Sequence, residues 1–380
     1  MFTKCQPMNR SADVAVVGAG IVGLAHAYMA LRKGYKVVLF ERDEWAVGAS
    51  IRNFGLVWPV GQEPGTGFTY ALRSRQHWTE LAAAAGFWIN PSGSLHLAYH
   101  ADEEAVLQEF LELYKYSDYQ VSWFSGEQAV EKSGVINPDG LRGALWSATE
   151  CTVNPRQAIR KIPEYLAEKF GLITRWGHVV KGIALPVIET ASEQWQVQKV
   201  FVCSGADFET LYPDHFKRQD LTKCKLQMMK AVPRQPVVLG PALCAGLTLR
   251  HYAAFAGCPS LKLLDARYDQ QSSFWKENGI HVLLSQNDQG ELIIGDSHHY
   301  ARTHDPFLSE AVDQRILAYL NSFVKLDFQV TERWHGVYPK MAGHLSFVQE
   351  VEEDVVIVNA LGGAGMTLSF GLAEENLERF

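Results

Sequence analysis

Residues Ala12–Arg42 read ADVAVVGAGIVGLAHAYMALRKGYKVVLFER, and this stretch decides the fold. An apolar run, Val14–Val17, enters the spacing Gly18-x-Gly20-x-x-Gly23. A helical stretch follows, and a second apolar run, Val37–Phe40, ends at Glu41. This is the order of a strand–turn–helix–strand unit that receives a dinucleotide. Gly18 allows the tight turn out of the strand. Gly20 lets the backbone approach a pyrophosphate, and Gly23 lets the helix pack on the sheet. The helix start, including Ile21 and Val22, offers amide donors and the positive dipole end to phosphate. Glu41 stands where a carboxylate can accept hydrogen bonds from a ribose. Because both strands, the helix and the acidic residue accompany the glycines, a dinucleotide site is expected rather than a ligand-free glycine turn.

The next segment bears on which dinucleotide. Gly48-Ala49-Ser50-Ile51-Arg52-Asn53-Phe54-Gly55 combines small residues with a hydroxyl, a guanidinium and an amide. Such a set can wrap an extended cofactor beyond its phosphates. The Glu41-Arg42 pair and this GASxRN stretch resemble the D-amino-acid-oxidase-like FAD oxidoreductases, which include glycine and sarcosine oxidases. Two further segments carry the same resemblance. Val200–Ala206 (VFVCSGA) is similar to that family's second strand and turn at the cofactor, with Ser204 and Gly205 in contact. Val358–Thr367 (VNALGGAGMT) is similar to its flavin-contacting strand–loop–helix, through Gly363, Ala364, Gly365, Met366 and Thr367.

The resemblance implies an α/β fold. A Rossmann-type FAD domain, residues 1–88, 149–222 and 333–380, would interleave with an α+β substrate domain, residues 89–148 and 223–332, built on an antiparallel sheet. It places Val180 beside the adenine and Ser50, Arg52 and Asn53 at the cofactor. It also implies non-covalent FAD, since Arg52 holds the place of the histidine that some relatives attach to flavin, and no cysteine follows Cys258.

Composition fits such an enzyme. Hydrophobic residues make up 47% and charged residues 20% of 380, ordinary for a globular chain. A net charge of −7 without a basic cluster argues against nucleic acid. Six widely spaced cysteines give no zinc pattern and are expected reduced and mostly buried, in a cytoplasmic protein. The opening MFTKCQPMNRSAD has no apolar signal core, and no run is long enough for a membrane span. Ser92–Tyr99 reads as a strand. Ala101–Tyr116, Gly126–Gly134 and the stretch from Pro155 to about Phe170 read as helices. Between Lys223 and Arg333, Leu261–Leu264, Ile280–Ser285 and Glu291–Gly295 read as strands of the active-site roof.

Flavin accepts two electrons as hydride, so the expected reaction removes hydride from the carbon beside an amine nitrogen. The imine then hydrolyses to a carbonyl compound, and electrons pass to O2 or another acceptor. The substrate is where this chain departs from the amino-acid oxidases. Those enzymes carry an arginine in a W-x-G-x-R-P context that clamps the substrate carboxylate. Here the segment is Trp334-His335-Gly336-Val337-Tyr338-Pro339-Lys340, with Tyr338 in the arginine's place. Candidate replacements are Tyr338, Lys340, Arg250, and His298 with His299 in GDSHHY (residues 295–300). Each has an alternative reading as a structural polar residue, and Arg250 could hold an ion pair. The combination also resembles a subgroup associated with phosphonate breakdown, which implies an aminophosphonate such as 2-aminoethylphosphonate or its N-methyl form. A glycine, sarcosine or D-amino-acid oxidase or dehydrogenase is the alternative. A non-catalytic dinucleotide-binding redox protein is the reading from a different class.

Overall fold

The computed structural model describes residues 10–379. The opening residues read above as lacking a signal core, with Cys5, lie largely outside the described residues. Two large sheets organise the chain. The first has six strands in the order Phe347–Glu352, Val355–Asn359, Lys199–Val202, Val14–Val17, Val37–Glu41, Ile173–Trp176. All neighbours pair parallel except the edge strand Phe347–Glu352, which runs antiparallel. Val14–Val17 lies at the middle with Lys199–Val202 and Val37–Glu41 on either side. Strands buried on both faces read as unbroken apolar runs, which is why VAVV and VVLF were legible.

The helix Ile21–Arg32 leaves the central strand through the glycine turn and is buried nearly all round. A helix with no polar stripe must be covered on every side. The C-terminal helix Gly365–Arg379 packs against it on one side, with Leu24, Met29, Phe370 and Leu377 in the same apolar cluster. His26 ties the two together. Its Nδ1 contacts the Val22 carbonyl at 2.7 Å, and its Nε2 lies 3.0 Å from Asn376 Nδ2. Burial pushes this imidazole down to about 4, so it packs as a neutral ring.

The second sheet has nine strands and is mainly antiparallel. Its longest pair is Leu221–Pro233 with Phe328–Met341, aligned so that Cys224 faces Tyr338 and Thr222 faces Lys340. Residue 333, the expected boundary, lies within the strand Phe328–Met341. One expectation needs correction. Leu261–Leu264 opens the helix Leu261–Gln271 rather than a strand. Leu264 and Tyr268, four apart, are buried while Leu263 is 66% exposed, which is the period of a helix and not of a strand. The helices Ala101–Leu113, Gly126–Lys132 and Pro155–Phe170 form where expected.

The five described cysteines are free and buried. Among the described residues no helix is long and apolar enough to cross a membrane.

Candidate functional site

A continuous cleft of about 640 Å³ runs from the glycine turn, between the two sheets, to the roof strands. Its first end is built by the strand–turn–helix unit. Gly18 takes φ +102°, and a Cβ there would stand 2.3 Å from the Cys203 carbonyl oxygen. Only glycine can turn the chain this close to the neighbouring strand end. Gly20 faces Ser50, whose Oγ accepts the Ile21 amide at 2.9 Å. That bond locks the GASxRN segment onto the helix start. Gly23 does not line the cleft; a Cβ on it would sit 1.9 Å from the Gly18 carbonyl oxygen, so its role is the helix-to-turn packing expected of it.

Glu41 closes the second strand at the cleft wall, with its Oε2 accepting the Ala19 amide at 2.9 Å. Arg42 pairs with Asp207 across the cleft. Burial opposes ionisation of Asp207, yet Arg42 and the surrounding donors outweigh it and hold the carboxyl down at about 2. Val180, Ser204 and Gly205 line the same end.

Arg52 and Asn53 also line the cleft, by different means. The Asn53 amide is spent on its own turn: Nδ2 donates to the Ala49 and Ser50 carbonyls at 3.0 Å each, and Oδ1 accepts the Gly55 amide at 2.7 Å. Arg52 donates to the His335 carbonyl at 3.3 Å. The loop of Gly363, Ala364, Gly365, Met366 and Thr367 forms the facing wall. Thr367 Oγ1 accepts the Trp58 amide at 2.9 Å, and the Met366 carbonyl accepts Trp78 Nε1 at 2.8 Å. The wall is thus pinned from behind, and its glycine-bearing side faces the cleft.

These features fit FAD. The cleft volume lies within the roughly 300–1,000 Å³ of small-molecule and cofactor sites. Gly20 caps the helix start without a side chain and leaves the space that a pyrophosphate needs, and a carboxylate stands at the end of the second strand.

At the far end the roof strands supply the polar groups. Strand Leu221–Pro233 pairs on one side with two short strands, Leu292–Gly295 and His299–Ala301. Between them Asp296–His298 leaves the ladder, and Ser297 Oγ accepts the Gln227 amide at 3.2 Å in place of a backbone oxygen. This interruption brings Asp296 and His298 into the cleft wall. Tyr338 and Lys340 project from the opposite roof strand, and the Lys340 backbone bridges to Leu361 at the start of the facing loop. The ring of Tyr338 lies against Gly363, where a Cβ would be 3.4 Å from its hydroxyl. Burial, then the nearby Cys224 and Tyr300, push the Tyr338 hydroxyl well above the usual tyrosine range. It is a permanent proton donor at neutral pH.

Two expected residues are placed elsewhere. Arg250 is engaged by two carboxylates, Asp265 and Asp269, each at 2.6 Å, on the helix Leu261–Gln271. It does not line the cleft. His299 returns to the ladder opposite Lys225, one residue out of phase with His298, and so sits outside the cleft. The structure adds His281, and it brings Asp296 of GDSHHY and His251 and Tyr252, the neighbours of Arg250 in the candidate segment Leu249–Tyr252, to the cleft. His281 pairs with Asp296 through reciprocal backbone bonds of 2.8 and 3.3 Å. Nothing near His281 in the sequence marks it; the hairpin register alone carries it to the site. His335, whose carbonyl receives Arg52, is not among the residues lining the cleft.

Comparison with known proteins agrees with this geometry. Residues 13–379 match the family model described as FAD dependent oxidoreductase (DAO). The tRNA 5-methylaminomethyl-2-thiouridine biosynthesis bifunctional protein MnmC of Ralstonia nicotianae is 28% identical over 153 residues, covering 38% of this chain and 23% of that protein. The D-amino-acid oxidase of Streptomyces coelicolor is 37% identical over 79 residues, or 20% of this chain and 25% of that protein. The matched part thus spans about a quarter of either curated relative. The crystal structure of glycine oxidase from Geobacillus kaustophilus superposes with a TM-score of 0.77 at 19% identity, covering 98% of this chain and 95% of that one. At that identity the likeness speaks for the fold.

Proposed function

The chain belongs to the FAD-dependent oxidoreductase (DAO) family, and from that membership we propose that it oxidises the carbon–nitrogen bond of a small amine bearing an anionic headgroup. The favoured substrate is an aminophosphonate such as 2-aminoethylphosphonate or its N-methyl form. The observation that carries this reading is the make-up of the roof. The arginines lining the cleft are Arg42, paired with Asp207, and Arg52, turned to the His335 carbonyl. Arg42 is held by Asp207, and Arg52, with one bond to the His335 carbonyl, sits in the segment expected at the cofactor and not on a roof strand. Tyr338, Lys340 and His298 stand there instead. A lysine is a compact charge with rotatable donors, and with a hydroxyl beside it suits a tetrahedral anion better than a bidentate clamp would.

Bound FAD, held without a covalent link, would supply the hydride acceptor. The residues of this chain bind and orient. The glycine turn, Glu41 and Ser50 hold the nucleotide half, and the loop Gly363–Thr367 backs the flavin half. Trp58, Leu226, Met228 and Leu283 line the cleft between them and exclude water. Such a wall disfavours an ammonium, so the amine nitrogen enters with its lone pair free for the reaction. Lys340 and Tyr338 hold the headgroup. The Lys340 ammonium lies 3.4 Å from the hydroxyl of the exposed Tyr300, beside the cleft.

A panel of amines tests the reading. Anaerobic bleaching of the flavin is expected to be faster with 2-aminoethylphosphonate or its N-methyl form than with glycine, sarcosine or D-alanine. The reverse order would remove the phosphonate and leave the amino-acid oxidase reading, which the names of the relatives support. Replacing Tyr338 by phenylalanine, or Lys340 by methionine, is expected to lower kcat/KM for the best anionic amine by about 2 kcal/mol, tenfold or more, because a buried anion contact is lost. Unchanged kcat/KM in both variants would place the headgroup elsewhere.

A further inference from the structure

Three imidazoles meet in the roof of the cleft. His251, His281 and His298 each offer a ring nitrogen, and these nitrogens all lie within 4.8 Å of one another. The rings of His251 and His281 stack with centroids 3.9 Å apart, and His298 lies 4.5 Å from the first and 5.1 Å from the second.

One of the rings is oriented from behind. His298 Nδ1 contacts the Gly279 carbonyl at 2.9 Å, which makes it the protonated nitrogen and leaves Nε2 with a lone pair. His281 Nε2 lies 3.0 Å from Asp296 Oδ1 without a hydrogen bond between them, Asp296 Oδ2 stands 3.7 Å from His298 Nε2, and His281 Nδ1 is buried with no partner among the described residues. A carbonyl behind an imidazole, as behind His298, is a usual support of a metal-ligating histidine. The partnerless Nδ1 of a ring only 3% exposed is a buried polar atom that wants an acceptor of its lone pair or of its proton.

Two of the three rings, His251 and His298, are held neutral. Burial, first, and then the neighbouring rings hold His251 well below the usual histidine range. Burial does the same to His298, down to about 4 despite Asp296. Neutral imidazoles keep the lone pairs that a Lewis acid needs at physiological pH.

We propose that His251, His281 and His298 form a divalent metal site of the three-histidine type, with Zn²⁺ as the ion the donors suit and the fourth position open to the cleft. Imidazole donors in threes with one open position are a familiar zinc arrangement. At Zn–N distances of about 2.0–2.1 Å, tetrahedral donors stand about 3.3 Å apart. Closing the trio to that spacing requires the rings to turn, chiefly His251, which follows a short helix into a loop and would unstack from His281. The ion would add positive charge to this wall of the cleft. That its open position meets a substrate oxygen rests on the anionic-amine reading above; the site itself rests on the imidazoles alone.

The test is metal content, read without activity. The FAD-loaded protein is stripped with chelator, dialysed against Zn²⁺, passed through a desalting column and assayed for metal and flavin. Wild type is expected to retain about one ion per chain. The His281→Ala and His298→Ala proteins are expected to retain under about a fifth of that, with their flavin content kept as proof of folding. Wild type retaining under about a fifth of an ion per chain would overturn the proposal, and so would a flavin-loaded double variant that retains as much as wild type. Substrate preference plays no part in either result. A failed amine panel with full zinc retention would therefore sink only the substrate reading.

Discussion

Gly23→Ala is expected to destabilise the protein by about 3 kcal/mol or more, at the upper end of overpacking effects. The added Cβ would stand 1.9 Å from the Gly18 carbonyl oxygen and 3.0 Å from its carbon, so the collision is with backbone and not with a movable side chain. Gly18 cannot retreat. It is itself pressed against the Cys203 carbonyl, at 2.3 Å from where its own Cβ would be. The helix Ile21–Arg32 would have to lift from the sheet, taking with it the buried contact to Gly365–Arg379. In a thermal melt of the flavin-free protein the midpoint should fall by at least about 5 °C, or the variant should be recovered only as aggregate. A midpoint unchanged within about 1 °C would show that the helix is not held at this glycine.

Gly20→Val is expected to act on the cofactor and to spare the fold. A Cβ here meets only Ser50 Oγ, at 3.0 Å, and otherwise enters the space of the cleft. The valine methyls would stand over the helix start and displace Ser50 from the Ile21 amide. A pyrophosphate could then neither approach the backbone nor find the turn in its original shape. The loss should be about 3 kcal/mol of FAD affinity, on the order of a hundredfold in Kd. The purified variant is expected to be colourless while its flavin-free melting midpoint stays near that of the wild type. Full FAD occupancy would remove the pyrophosphate from this turn. The two glycines lie three residues apart, and the contrast between a lost fold and a lost cofactor separates their roles.

The cofactor end of the molecule was legible because its determinants are local. The turn, the helix start and the carboxylate follow one another within 30 residues, and each residue type does what its own stereochemistry requires. All the expected cofactor residues except Gly23 line the cleft, and Gly23 takes the packing role read for it. Leu261–Leu264 was misread because four apolar-rich residues cannot distinguish a strand from the first turn of a helix. The period shows only when Tyr268 is included.

The roof was only half legible. Tyr338, Lys340 and His298 could be named from departures in short motifs. Arg250 is drawn away by Asp265 and Asp269, which lie 15 and 19 residues further along. His298 and His299 differ only by the alternation of a strand, and the break at Asp296–His298 decides which one faces inward.

The chain therefore carried, in its order of residues alone, the nucleotide-binding unit and the kind of cofactor. These depend on backbone freedom, side-chain chemistry and short spacings, which are properties of a segment. The gathering of His251, His281 and His298, and the removal of Arg250 from the cleft, were decided by hairpin register and by helix placement. Register is set by which face of a sheet is buried, and that is an energy summed over the whole core rather than one written in any single segment.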